Sequence, residues 1–104
     1  MDTVIFQQKA TTETIPISVT FADRLQYGEI ITSASVSVVV LSGIDPNPSA
    51  MLSGATSYTN TVLTQVITGG VAGVIYALVF LVTGSGSHNY VKEGQLAVIT
   101  PGTY

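Results

Sequence analysis

The sequence predicts an all-β chain folded as an antiparallel sandwich of roughly seven strands. Three observations lead there. Segments such as Thr14–Phe21 and Ile30–Leu41 alternate apolar and polar residues with the period of two that puts successive side chains on opposite faces of a sheet. Stretches rich in Gly, Pro, Asp and Asn separate the apolar segments at intervals of about a dozen residues, with no helical periodicity between them. Finally, Gly69–Thr83, GGVAGVIYALVFLVT, is apolar on both strand faces, as befits a strand at the centre of the core.

Composition narrows the function classes. The chain of 104 residues is the size of one domain, 1–104, with residues 1–9 as an N-terminal arm. Cys is absent, so neither a disulfide framework nor a thiolate metal site can form. Charged residues make up 9%, against about 25% in an average soluble domain, which leaves a surface coated mainly with hydroxyls. Net charge is −3, and the basic residues Lys9, Arg24 and Lys92 lie far apart, which argues against direct nucleic-acid binding. The start, MDTVIFQQK, does not have the layout of a secretory signal. The apolar run Val71–Val82 is twelve residues, short of the roughly twenty that a membrane-spanning helix needs. It also lacks the polar-apolar alternation of a barrel strand, so no bilayer is expected.

The elements follow in order. Val4, Ile5 and Phe6 form the only apolar cluster of the arm, which either adds an edge strand or frays, or reaches a neighbouring subunit. In Thr14–Phe21, Ile15, Ile17, Val19 and Phe21 share one face, and Pro16, lacking a backbone donor, belongs on a sheet edge. Ala22–Glu29 interrupts the pattern, with Leu25 as its anchor to the core. In Ile30–Leu41, Ala34, Val36, Val38 and Val40 face in, and Ser33, Ser35 and Ser37 face out. Asp45-Pro46-Asn47-Pro48 is turn chemistry. Ala50–Thr56 is expected as a short strand around Met51 and Leu52, and Ser57–Ile67 as a longer one with Val62 and Val66 inward and Thr59, Thr61 and Gln65 exposed. GSGSHN is a flexible turn, and Tyr90–Ile99 is the last strand, with Leu96 and Val98 facing the core.

Gly69, Gly70 and Gly73 predict a tight turn with positive φ and close backbone approach ahead of the central strand. Tyr76, just after that turn, occupies the place of the tyrosine corner of Greek-key sandwiches, whose hydroxyl bonds back to the backbone. The expected architecture is therefore immunoglobulin-like, without the Cys and Trp of antibody domains.

Catalytic inventory is thin. His88, the single histidine, lies in the glycine-serine turn, and no G-x-S-x-G motif accompanies the many hydroxyls. The acids Asp2, Glu13, Asp23, Glu29, Asp45 and Glu93 are scattered singly, so no metal and no cofactor is expected. Gly69-Gly70-x-x-Gly73 precedes a strand instead of opening a helix, which is not a phosphate loop. What remains is surface. With Tyr76, Leu78, Phe80 and Val82 turned inward, the opposite row Ile75, Ala77, Val79 and Leu81 needs a cover. Either a loop or the arm covers it within the subunit, or Ile75, Val79 and Leu81, with Val4, Ile5 and Phe6, make subunit contacts.

Five segments in order carry a resemblance: K-x-x-x-E-T-I-P-I-S-V-T-F-A-D-R-L from Lys9, Y-G-E-I-I-T-S-A-S-V from Tyr27, G-I-D-P-N-P from Gly43, I-T-G-G-V-A-G-V-I-Y from Ile67 and G-Q-L-A-V-I from Gly94. Together they resemble the fibre–tail adaptors of short-tailed phages, over about Lys9 to Thr100. The resemblance implies a non-enzymatic virion structural protein, made in the bacterial host cytoplasm, that forms a homo-oligomeric ring at the portal–tail junction. There it links tail fibres to the portal or neck protein. A capsid decoration or tail-associated immunoglobulin-like binding protein is the alternative. Low charge fits close subunit packing, since each buried charge would need a partner.

Overall fold

The computed structural model describes residues 3–6 and 9–100, and of Thr3–Ile5 the backbone only. Among the described residues the regular structure is nearly all strand: β1 Thr3–Ile5, β2 Lys9–Ala10, β3 Thr14–Thr20, β4 Ile31–Ser42, β5 Leu52–Tyr58, β6 Val62–Thr68, β7 Ile75–Gly84 and β8 Asn89–Ile99. The short β1 and β2 lie one after the other along β8, so the sandwich has seven strand positions in two sheets. One sheet runs β1-β8-β7-β4, with β2 also on β8, and the other runs β3-β6-β5. β7 pairs antiparallel with β4 on one side and β8 on the other, so the most apolar strand takes an interior position, where both its backbone edges are satisfied. The arm departs from the antiparallel pattern. β1 and β2 both run parallel to β8, because the chain enters along the edge and reverses only at the turn after Ala10.

The core lies between the sheets. Tyr76, Leu78, Phe80 and Val82 of β7 and Leu96 and Val98 of β8 meet Ile17, Leu63 and Ile67 from the facing sheet, closed by Phe21, Met51 and Val74. Burying a large aliphatic or aromatic side chain stabilises by about 1.5–3 kcal/mol, so β7 is the strongest single contributor to the fold. Pro16 sits on β3, an edge of the smaller sheet, where its missing N–H breaks no interior ladder.

Two expectations need correction. The segment Ala50–Thr56 does not begin as strand: Pro48–Met51 is a turn of 3-10 helix that buries Met51, and β5 starts at Leu52. Ser57–Ile67 is not one strand, since Thr59–Thr61 form a reversal closed by the Thr59 N–H donating to the Val62 carbonyl at 2.8 Å. That reversal resets the parity of β6, so that Leu63, Gln65 and Ile67 face in while Val62 and Val66 face out. Gln65 is 1% exposed. Its Nε2 donates to the Ser53, Gly54 and Val66 carbonyls at 3.2, 3.4 and 3.0 Å, and its Oε1 accepts from the Thr56 hydroxyl at 2.6 Å. These bonds span the stretch of β5 where the register shifts between Ser53 and Ser57, so a side chain replaces ladder bonds that the irregular strand cannot make.

Candidate functional site

Three places on the sandwich gather polar networks or exposed apolar side chains. The first is the connection ahead of β7. Gly69, Gly70 and Gly73 have φ of 65°, 98° and 85°. At Gly70 the demand is twofold, since a Cβ there would also stand 2.9 Å from Cγ2 of Val98. The Tyr76 hydroxyl accepts from the Val71 N–H at 2.9 Å and donates to Asp45 Oδ2 at 2.8 Å. Asp45 Oδ1 in turn accepts from the Asn47 N–H at 2.9 Å. One buried phenol thus joins the β6–β7 and β4–β5 connections, and burial foremost raises its pKa. On the other side of the same loop, Lys9 is fully buried, with Nζ donating to the Gly69 carbonyl at 2.7 Å and the Ala10 carbonyl at 2.8 Å. Desolvation lowers the pKa of Lys9.

The second is the outward face of the larger sheet. Ile75 and Leu81 are 37% and 39% exposed, and Val79 between them is half-buried. Ala77, in the same row, is buried among its longer neighbours. The strand register extends the apolar row sideways: Val39 lies opposite Ala77, and Val39 and Leu41 are each 50% exposed. Val91 of β8 lies opposite Leu81 and Ala97 opposite Ile75, with Glu93 the one charged residue that β4, β7 and β8 contribute to this face. Phe6 is not on it. Its ring packs edge-on against Phe80 at 6.1 Å between centroids and lies directly over Gly94, where any Cβ would collide with it. The side chains of Val4 and Ile5 lie outside the described residues.

The third is the end of the sandwich where the β3–β4 and β7–β8 connections meet. The Glu29 carboxylate, its side chain 4% exposed, is the hub. Oε1 accepts from the Gln26 N–H at 3.0 Å and the Tyr90 hydroxyl at 2.7 Å. Oε2 accepts from the Gly86 N–H at 3.0 Å and faces His88 Nδ1 at 3.2 Å. These bonds, the one from the Gln26 N–H first, hold the carboxyl at about 2, well below its ordinary 4.5. A carboxylate so engaged pins one loop to the other. Tyr27 stands fully exposed on the rim of an open hollow of about 360 Å³ that Gln26, Glu29, Ser85 and His88 help to line. On the neighbouring flank, Lys92 donates to Asp23 Oδ1 at 2.6 Å and the Thr20 carbonyl at 2.8 Å and lies 5.5 Å from the Phe21 ring centroid.

The sequence singled out Gly69, Gly70, Gly73 and Tyr76 and the row Ile75, Val79 and Leu81, and each set lies together in space. It missed Asp45 as the partner of Tyr76, Gln65 as a buried bridge, Lys9 as a buried pin and Glu29 as a hub. The signal for Glu29 was available only as a solitary acid in a polar connection, since all its partners but the Gln26 N–H lie 57 to 61 residues away. Among the described residues no three His, Asp or Glu side chains converge as a metal site would require. Among the described residues no helix is long and apolar enough to cross a membrane.

Residues 9–98 match the protein family described as podophage GP4 fiber-tail adaptor protein gp77. No curated protein matches the chain. The family match spans most of the 104 residues, and the chain belongs to this family of fibre–tail adaptors.

Proposed function

We propose that this fibre–tail adaptor is a virion structural protein that acts without catalysis, as one subunit of a homo-oligomeric ring at the portal–tail junction that holds tail fibres to the particle. The family match over residues 9–98 is the observation that carries the reading. The shape of the molecule supports it. With β3, β6 and β5 in one sheet and β4, β7 and β8 in the other, the order corresponds to strands B-E-D and C-F-G of an immunoglobulin domain, and Tyr76 stands at the start of the F position. Such a domain presents rigid faces and loop ends. Gly69, Gly70, Gly73 and Tyr76 act here as the structural corner that fixes the β6–β7 connection. The outward row of Ile75, Val79 and Leu81 supplies the apolar contact to the next subunit, since neighbouring exposed apolar residues of this kind mark protein contacts. The arm residues Val4, Ile5 and Phe6 border the same sheet along β8.

Quantitative mass spectrometry of purified virions, counting this chain against the portal protein, tests the reading. A copy number equal to the portal's, or a small whole multiple of it, is expected. A many-fold excess would make the protein a capsid decoration, and absence from the particle would overturn the virion assignment.

A further inference from the structure

Sheet edges are where a sandwich stays open to another chain, and proteins ordinarily blunt them. Among the described residues, three of the four are blunted. β3 carries Pro16, β5 is broken by the register shift between Ser53 and Ser57, and the arm edge is short, with the Ala10 N–H already donating to Glu13 Oε1 at 2.7 Å. The fourth edge, β4, has no such device. Ser33–Val40 pairs with β7 in unbroken register and holds neither proline nor any charged residue. Hydrogen bonds reach its flank only near the start, where the Ile31 N–H donates to the Asn60 carbonyl at 2.9 Å and the Tyr58 hydroxyl to the Thr32 carbonyl at 2.7 Å, while β5 and the 3-10 turn at Pro48–Met51 pass close to β4 from the other sheet's side. Among the described residues, no backbone hydrogen bond joins 33–40 to any segment but β7.

We propose that the β4 edge is where a second copy of this chain pairs, antiparallel, across a twofold axis. Two observations select a copy of the same chain over other occupants. Joining edges head to tail needs two different open edges, whereas a single open edge is satisfied by its own counterpart. Further, Ala34, Val36 and Val40 face inward yet stay half-buried, at the position where their own sheet ends with β4. A strand with apolar residues at every second position would cover that row, and β4 is itself such a strand. Its lack of charge means that no like charges meet across the axis. The pairing merges two larger sheets into one and brings Val39 and Leu41 of both copies onto a common outer face. This inference stands on the edges and does not depend on the adaptor reading; a ring built from such pairs would hold an even number of copies.

Sedimentation velocity on the full chain, from dilute to concentrated, tests it. A reversible monomer–dimer equilibrium is expected. Ser37 is exposed in the middle of the open stretch, so Ser37→Lys should keep the native melting profile and weaken dimerisation by about tenfold or more through like charges at the axis. Ser18→Lys, on the blunted β3 edge, should leave the dimer intact. Because the chain has no Cys, Ser37→Cys gives a single thiol, and mild oxidation should yield a covalent dimer that Ser18→Cys does not form. If Ser37→Lys fails to fold, the cysteine pair decides the matter. A wild-type chain that stays monomeric at every concentration overturns the proposal. So does a dimer that neither Ser37→Lys nor Ser37→Cys affects, or a monomer whose β4 edge instead takes up a segment of purified tail fibre.

Discussion

The Tyr76 hydroxyl and the Asp45 carboxylate, 31 positions apart in the chain, meet at 2.8 Å. The same oxygen accepts from the Val71 N–H, so two connections that lead to different strands share one anchor. Low charge elsewhere in the chain makes such neutral or singly charged bonds the main device for holding loops to the sandwich.

Tyr76→Phe removes that anchor while leaving the ring in the core. The Val71 N–H and Asp45 each lose a partner, which should cost about 1–2 kcal/mol. For a domain of this size that is a fall in Tm of roughly 4–8 °C for each kcal/mol. Differential scanning calorimetry reads it directly. An unchanged Tm would show that the corner adds nothing to stability.

Acid should loosen the end of the sandwich held by Glu29. Its folded pKa of about 2 lies below the ordinary 4.5, so the ionised carboxylate contributes stability that is fully present above about pH 4.5 and is lost as pH falls through about 2. Glu29→Gln cannot take part in that titration. The stability gap between wild type and Glu29→Gln, measured by urea denaturation, should therefore narrow as pH drops across this window, while Asp23, common to both, cancels. A gap independent of pH would mean that the carboxylate's charge does not matter to the pinning.

Gly94→Ala should displace the Phe6 ring, because an added Cβ has no room beneath it. Overpacking of this kind destabilises by about 1–3 kcal/mol. Phe6→Ala on its own leaves a gap beside Phe80, yet combined with Gly94→Ala it relieves the collision. The double variant should be less destabilised than the sum of the two single ones, and chemical denaturation of all four proteins measures the difference. Strict additivity would show that the ring does not rest on Gly94.

The pattern of apolar residues was enough for the strand class, the central place of β7 and the inward rows of β3, β4 and β8. In each of these the alternation, or its absence, reports directly on how many faces are covered. It failed at β6. Val62 and Val66 read as an inward row because Gln65 interrupts the other one, but the strand that starts after the reversal at Thr59–Thr61 buries the larger Leu63 and Ile67 and takes Gln65 inside with them. A polar residue is tolerated there because Gln65 satisfies both its donor and its acceptor on the broken edge of β5.

The sequence by itself determined the sandwich, the glycine turn ahead of Tyr76 and the family, because local periodicity, turn chemistry and ordered motifs are properties of neighbouring residues. Only the tertiary structure decided that Glu29, Lys9 and Asp45 are anchors, that Phe6 lies over Gly94, and that β4 is left as an open edge. Those facts depend on which distant segments come together, and hydrogen bonds across dozens of residues leave no local trace in composition or spacing.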